Sequence, residues 1–125
     1  MIYKVGMLCK HFKGTDLLEK NIYRIEKTGV NGYDIDESLI TYTGDSELKD
    51  ATNLIVYSNI FQDNKLFCRE YEDISRELSN DKKEVFNQII KVQPLTFEEI
   101  AVINSTDFIE KKMELVAKKF SKKMY

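Results

Sequence analysis

The chain has 125 residues, 42% of them hydrophobic and 32% charged, with a formal net charge of −2 at pH 7. That length suits one compact domain rather than two. The slightly acidic balance weighs against a protein that lives on phosphate backbones, although positive groups gathered on one face of an acidic chain can still hold an anion.

Seven Tyr and seven Phe with no Trp supply large apolar bodies of the kind that strands favour. Cys9 and Cys68 match no metal-ligand spacing, and two distant thiols do not make a disulfide framework. Residues 1–8 carry Lys4 inside a short apolar run and lack the hydrophobic segment of a secretory signal. No stretch approaches the roughly 20 apolar residues that span a bilayer, so a cytoplasmic protein without membrane contact is expected.

In chain order, a first strand is centred on residues 7–12 and is broken by Gly14. Residues 21–30 alternate as a second strand, with Ile22, Arg24 and Glu26 on one face and Tyr23, Ile25 and Lys27 on the other. Asn31-Gly32 reads as a turn, because both residues tolerate positive φ. Residues 38–43 suggest a short strand and 44–50 an acidic loop. Residues 54–61 are apolar on both faces and are expected in the centre of the sheet. They turn through Gln62-Asp63-Asn64-Lys65 into a partner strand at 66–71.

Residues 75–83 are polar, either a short helix or a surface excursion, and 86–93 read as a last strand ended by Pro94. Thr96-Phe97-Glu98-Glu99 has the form of a capping box. Residues 105–125 are expected as an amphipathic helix with Ile109, Met113, Val116 and Phe120 on its apolar face. Its early acidic and late basic residues suit the helix dipole. The fold class is therefore α+β, mainly β: a small SH3-like barrel or strongly twisted antiparallel sheet with an amphipathic C-terminal helix. The expected division is a β-barrel-like domain at 1–95 and a helical extension at 96–125, packed on it or at a dimer seam.

Several chemistry-bearing patterns fail on their spacing. Lys13-Gly14-Thr15 has the wrong order for a phosphate loop. Asp34, Asp36 and Ser38 begin like a calcium loop, but Leu39 stands where Gly is needed and Asp45 where Glu is needed. Cys9 and His11, two apart, share a strand face, yet nothing in the sequence marks further ligands or an oxyanion hole.

Lys10-His11-Phe12-Lys13-Gly14, Tyr23, Leu54-Ile55-Val56-Tyr57 and Leu66-Phe67-Cys68-Arg69 together resemble the bacterial and phage domain family of unknown function numbered 1653. The resemblance covers about residues 4–92, with Phe86 at the family's late Arg-Phe. Phe67 stands for the family's Trp, Glu70 for its Pro and Ile74 for its Phe, and the segment between Tyr23 and Leu54 is longer than is typical. The resemblance implies a small SH3-like barrel and brings no assigned activity.

His11, Lys13, Tyr57 and Arg69 are polar-capable groups in otherwise apolar strands. If those strands are neighbours, they converge with Phe12 and Tyr23 on one mouth, where cations beside aromatic rings hold a phosphate or a stacked base. Protonation of His11 would strengthen such a mouth below about pH 6.5. A blander arrangement pairs His11 and Arg69 with backbone carbonyls or with Glu26 and Glu70.

The leading expectation is a non-enzymatic binding module for an anionic, nucleotide-type ligand, as in a phage or bacterial protein that sequesters a nucleotide, with no cofactor and no metal. Nucleic acid is a less favoured partner. The alternative is a protein–protein adaptor or homodimer joined through Ile109, Met113, Val116 and Phe120. A small hydrolase using His11 comes third.

Overall fold

The computed structural model describes residues 2–78 and 89–124. Six strands form one mixed sheet: β1 (Leu8–His11), β2 (Ile22–Val30), β3 (Ile40–Tyr42), β4 (Leu54–Asn59), β5 (Lys65–Glu70) and β8 (Val92–Pro94), in the order β3-β5-β4-β2-β1-β8. Two further strands, β6 (Glu77–Leu78) and β7 (Ile89–Ile90), make a separate pair. Helices α1 (Tyr71–Ile74), α2 (Phe97–Ile103) and α3 (Thr106–Met124) complete the chain.

The hairpin at 54–71 forms as its pattern predicts. β4 is buried along its whole length and lies between β5 and β2, with Val56 opposite Cys68. Asp63 and Asn64 take positive φ in the turn, a conformation their short polar side chains tolerate. β2 is not a plain alternating strand. Ile25 faces Tyr57 and Lys27 faces Val56, so Glu26 is an extra residue, and a second irregularity follows before Val30. Bulges of this kind bend a strand and increase its twist. Glu26 accepts a 2.6 Å hydrogen bond from the buried Ser58 hydroxyl.

Five expectations about the local elements change. β3 runs parallel to β5, so the sheet is mixed rather than antiparallel. Among the described residues the strand order has two ends, at β3 and β8, and does not close into a barrel. Asn31 keeps φ at −85°, and the chain turns through a 3₁₀ segment at Gly32–Asp34. Gly32 is needed there for space, since a Cβ would collide with the Leu48 carbonyl. The strand expected at 86–93 becomes two short ones, β7 and β8, on either side of Lys91, while 86–88, with Phe86, lie outside the described residues. In the polar stretch at 75–83, Glu77 and Leu78 form β6, the short helix α1 precedes it, and 79–83 lie outside the described residues.

The core is divided by the sheet. Tyr3, Cys9, Ile25, Ile55, Tyr57, Ile74 and Val92 form one cluster. A second gathers Ile22, Leu95, Ile103 and Phe108, and a third Ala51, Leu54, Val56 and Cys68. The capping box at Thr96 is present: its hydroxyl accepts from the Glu99 amide, and Glu99 accepts from the Thr96 amide. The other Glu99 oxygen takes Lys10 Nζ at 2.7 Å, tying α2 to β1. Burial works against ionisation of Glu99, but the hydrogen bonds from Lys10 and Thr96 and the Lys10 charge keep its pKa below the usual carboxylate range.

The buried face of α3 is not the expected stripe. Phe108 and Lys112 are buried, whereas Ile109 and Met113 stay 39% and 49% exposed and Val116 is half-buried. The side chain of Phe120 lies outside the described residues. Phe108 meets Phe61 edge-on at 5.9 Å, and that contact sets the helix's rotation. A reading that counts only apolar positions rejects Lys112 from the inner face, but a long lysine stem packs as hydrocarbon when its amine finds partners.

Candidate functional site

Side chains on one face of neighbouring strands stand in a row across the sheet, because alternate residues of a strand share a face. Here His11 of β1, Tyr23 of β2, Tyr57 of β4 and Phe67 of β5 form such a row. The His11 and Tyr23 rings meet edge-on at 6.4 Å, Tyr23 and Tyr57 at 4.8 Å, and Tyr57 and Phe67 stack at 5.8 Å. Phe12 lies against His11 at 4.7 Å. Tyr57 is 8% exposed and so is the floor of the row, while Phe12, Tyr23 and Phe67 are half-buried. Below the row, a crevice of ≈ 10 Å³ lined by Tyr23, Ile25, Tyr57, Ile74 and Val92 leaves room for about one water.

Positive charge collects at the same place. The His11 pKa is pushed down to about 4, first by burial and then by Lys91, Lys13, Arg69 and Lys20. The imidazole is therefore neutral at pH 7, and its Nδ1 accepts a 3.2 Å hydrogen bond from the Lys13 amide. This overturns the expectation that His11 titrates near pH 6.5: four cations and a low-dielectric wall disfavour a fifth charge. Arg69 also pulls the pKa values of Tyr23 and Tyr57 downward, but burial dominates both; Tyr23 is raised and Tyr57 is pushed up to about 12.

Arg69 does not pair with Glu70 or Glu26. Its Nε lies 2.6 Å from Asp73, and its NH2 group donates to the Thr43 carbonyl at 3.2 Å. Glu70 is adjacent in the strand and so points to the other face, where it accepts from Ser46; Glu26 is taken by Ser58 and Arg24. Lys91 Nζ shares Asp73 at 3.3 Å.

The β1–β2 loop carries the other two cations. Lys20 Nζ donates to the carbonyls of Phe12 and Gly14 at 2.7 and 3.0 Å. Gly14 has φ +104° and sits so close to Glu19 that a Cβ would press on its backbone. Glu19 closes the loop by accepting from the Thr15 hydroxyl and amide.

Of the six residues picked from the sequence, His11, Phe12, Tyr23 and Tyr57 stand side by side, and the charges of Lys13 and Arg69 act on His11. Lys20, Lys91, Asp73 and Phe67 were missed. Lys91 did leave a trace, as a lone cation inside Ile89-Ile90-Lys91-Val92. Cys9, on the same strand as His11, is fully buried with its thiol pushed up to about 12, so it is no ready nucleophile. Among the described residues no helix is long and apolar enough to cross a membrane.

The chain matches no family model, no curated protein and no solved structure. The resemblance to family 1653 thus rests on the residues quoted for it.

Proposed function

We propose that the protein is a non-enzymatic binding module whose basic, aromatic face takes an anionic ligand of the nucleotide type. Phosphate oxygens lie against Lys13, Lys91 and the Arg69 guanidinium, with Lys20 adding charge from behind the loop, and a flat base lies against the half-buried rings of Phe12, Tyr23 and Phe67. The observation that carries this reading is the gathering of Lys91, Lys13, Arg69 and Lys20 near the His11 ring, whose pKa is held down first by burial and then by these four charges, beside a row of rings. Among the described residues Asp73 is the carboxylate that pairs with two of them, which leaves the face net positive on an acidic chain.

Guanidinium and ammonium groups near low-dielectric walls bind phosphate more strongly than they would in open water. A neutral His11 contributes an Nε2–H donor rather than a charge. In this reading the antiparallel run β5-β4-β2-β1, with the bulges of β2, is an opened SH3-like arrangement of the kind family 1653 implies.

Calorimetry with ATP, ADP, AMP, pyrophosphate and adenosine tests the assignment. ATP should bind more tightly than AMP, adenosine weakly, and Arg69→Ala or Lys91→Met should abolish binding while the variants stay folded. If none of these compounds binds at millimolar concentration, the reading is wrong.

A second reading, an adaptor or homo-oligomer using the C-terminal helix, is supported by the exposure of Ile109, Met113 and Val102. Mass measured against concentration separates it from the first: a rise that Met113→Glu removes favours the helix as an interface.

A further inference from the structure

Lys112 belongs to α3 and is only 4% exposed. A buried ammonium is costly unless its donors are satisfied. Here two of the three find acceptors: Nζ donates to the Leu18 carbonyl at 2.5 Å and to the Lys20 carbonyl at 2.6 Å, and it stands 5.9 Å from the centre of the Phe61 ring. The helix thus grips the backbone of the β1–β2 loop more than ninety positions away in the chain. The gripped residue, Lys20, in turn uses its own amine to hold Phe12 and Gly14, the residues on either side of Lys13. Leu17 and Leu18 anchor the same loop in the cluster that contains Phe108.

We propose that Lys112 is a positioning residue for the anion face: by fixing the Leu18 and Lys20 carbonyls, it sets the loop from which Lys13 and Lys20 project their charge. This rests on the anion-binding reading, but the mechanical link is testable without a ligand. The chain of contacts runs from Lys112 to the Lys20 backbone, from the Lys20 amine to the Phe12 and Gly14 carbonyls, and so to His11 and Lys13. Lys112 reaches the carbonyl of Lys20 and not its amine, so beyond its own charge, which Lys112→Arg keeps, its influence on a bound anion is geometric. The amine is also the polar group that makes α3 specific for this loop, since an apolar residue would leave two carbonyls without their donor.

The experiment compares wild type with Lys112→Met, Lys112→Arg, Lys20→Met and the Lys112→Met/Lys20→Met double variant. Hydrogen exchange reads the amides of Glu19 and Lys20 against those of β4. In Lys112→Met the loop amides should exchange at least tenfold faster with β4 unchanged, and Lys112→Arg should restore much of the protection. Unchanged loop exchange in Lys112→Met overturns the link, whatever the protein binds. If Lys112→Met does not fold, Lys112→Gln, too short to span both carbonyls, is read in the same way with the same two outcomes.

ATP titrations then test the consequence. Lys112→Met should weaken binding threefold or more, and should add no further loss once Lys20 is Met. Equal, additive losses in the two backgrounds would show that Lys112 does not act through Lys20. Failure of the wild type to bind ATP overturns the function reading alone, because the exchange data decide the link separately.

Discussion

Arg69 Nε lies 2.6 Å from one oxygen of Asp73, and Lys91 Nζ reaches the other at 3.3 Å. Asp73 thus occupies two cations, and under the proposed function it is an internal anion that competes with a bound phosphate for them. Asp73→Asn keeps the shape and removes the charge. It should raise ATP affinity a few-fold, in line with the roughly 0.5–1 kcal/mol of a partly exposed ion pair, and slightly lower the melting temperature. Unchanged or weaker ATP binding in a folded Asp73→Asn protein would count against the face as the binding site.

His11 gives a pH signature. Its pKa is about 4 in the folded chain against 6.5 for an unhindered imidazole. The unfolded state therefore takes up a proton as pH falls through 6.5, while the folded state resists until about 4. Stability from this group is complete above pH 6.5 and is lost progressively between 6.5 and 4. Urea midpoints at pH 7, 5.5 and 4.5 should fall more steeply for wild type than for His11→Gln. Saturating pyrophosphate should move the His11 titration seen by NMR back toward 6.5; a titration that stays put would show that no anion sits near the ring.

The central hairpin fixes the register of the sheet. Val56 is 1% exposed and faces Cys68 within a fully buried strand. An unpaired carboxylate there costs several kcal/mol out of a total of about 5–15. Val56→Asp should leave the chain unfolded by circular dichroism at 25 °C. A cooperative melt at the wild-type temperature would refute this packing.

The inner face of α3 separates the observed packing from the apolar stripe. Phe108 is 6% exposed against Phe61, whereas Met113 is half exposed. Phe108→Ala should cost about 3–5 kcal/mol in chemical denaturation, and Met113→Ala no more than about 0.5. The reverse order would mean that the stripe of Ile109, Met113 and Val116 faces the sheet after all.

The local elements were legible because their causes are local. The double-sided apolar run at 54–59 marks a central strand, Thr96 and Glu99 cap a helix through their own backbone, and residues 106–124 carry charge and period suited to a helix. The row of His11, Tyr23 and Tyr57 was also within reach, since neighbouring strands align same-face residues once their pairing is guessed.

Tertiary structure decided the rest, for one physical reason: long-range partners choose among side chains that are equivalent in one dimension. Period alone made Ile109 and Met113 the inner face, but Phe61, Leu18 and Lys20 turned Phe108 and Lys112 inward. Reference chemistry gave His11 a titration near neutrality, but burial by the fold first, and then the charges of Lys91, Lys13, Arg69 and Lys20, hold the ring neutral at pH 7. Strand propensity suggested a short strand at 38–43 in an antiparallel sheet, and only the contact of Ile40–Tyr42 with β5 made it parallel. Asp73 lies four residues after Arg69, so that ion pair is local, but only the fold brings Lys91, eighteen positions on, to the other oxygen of the same carboxylate.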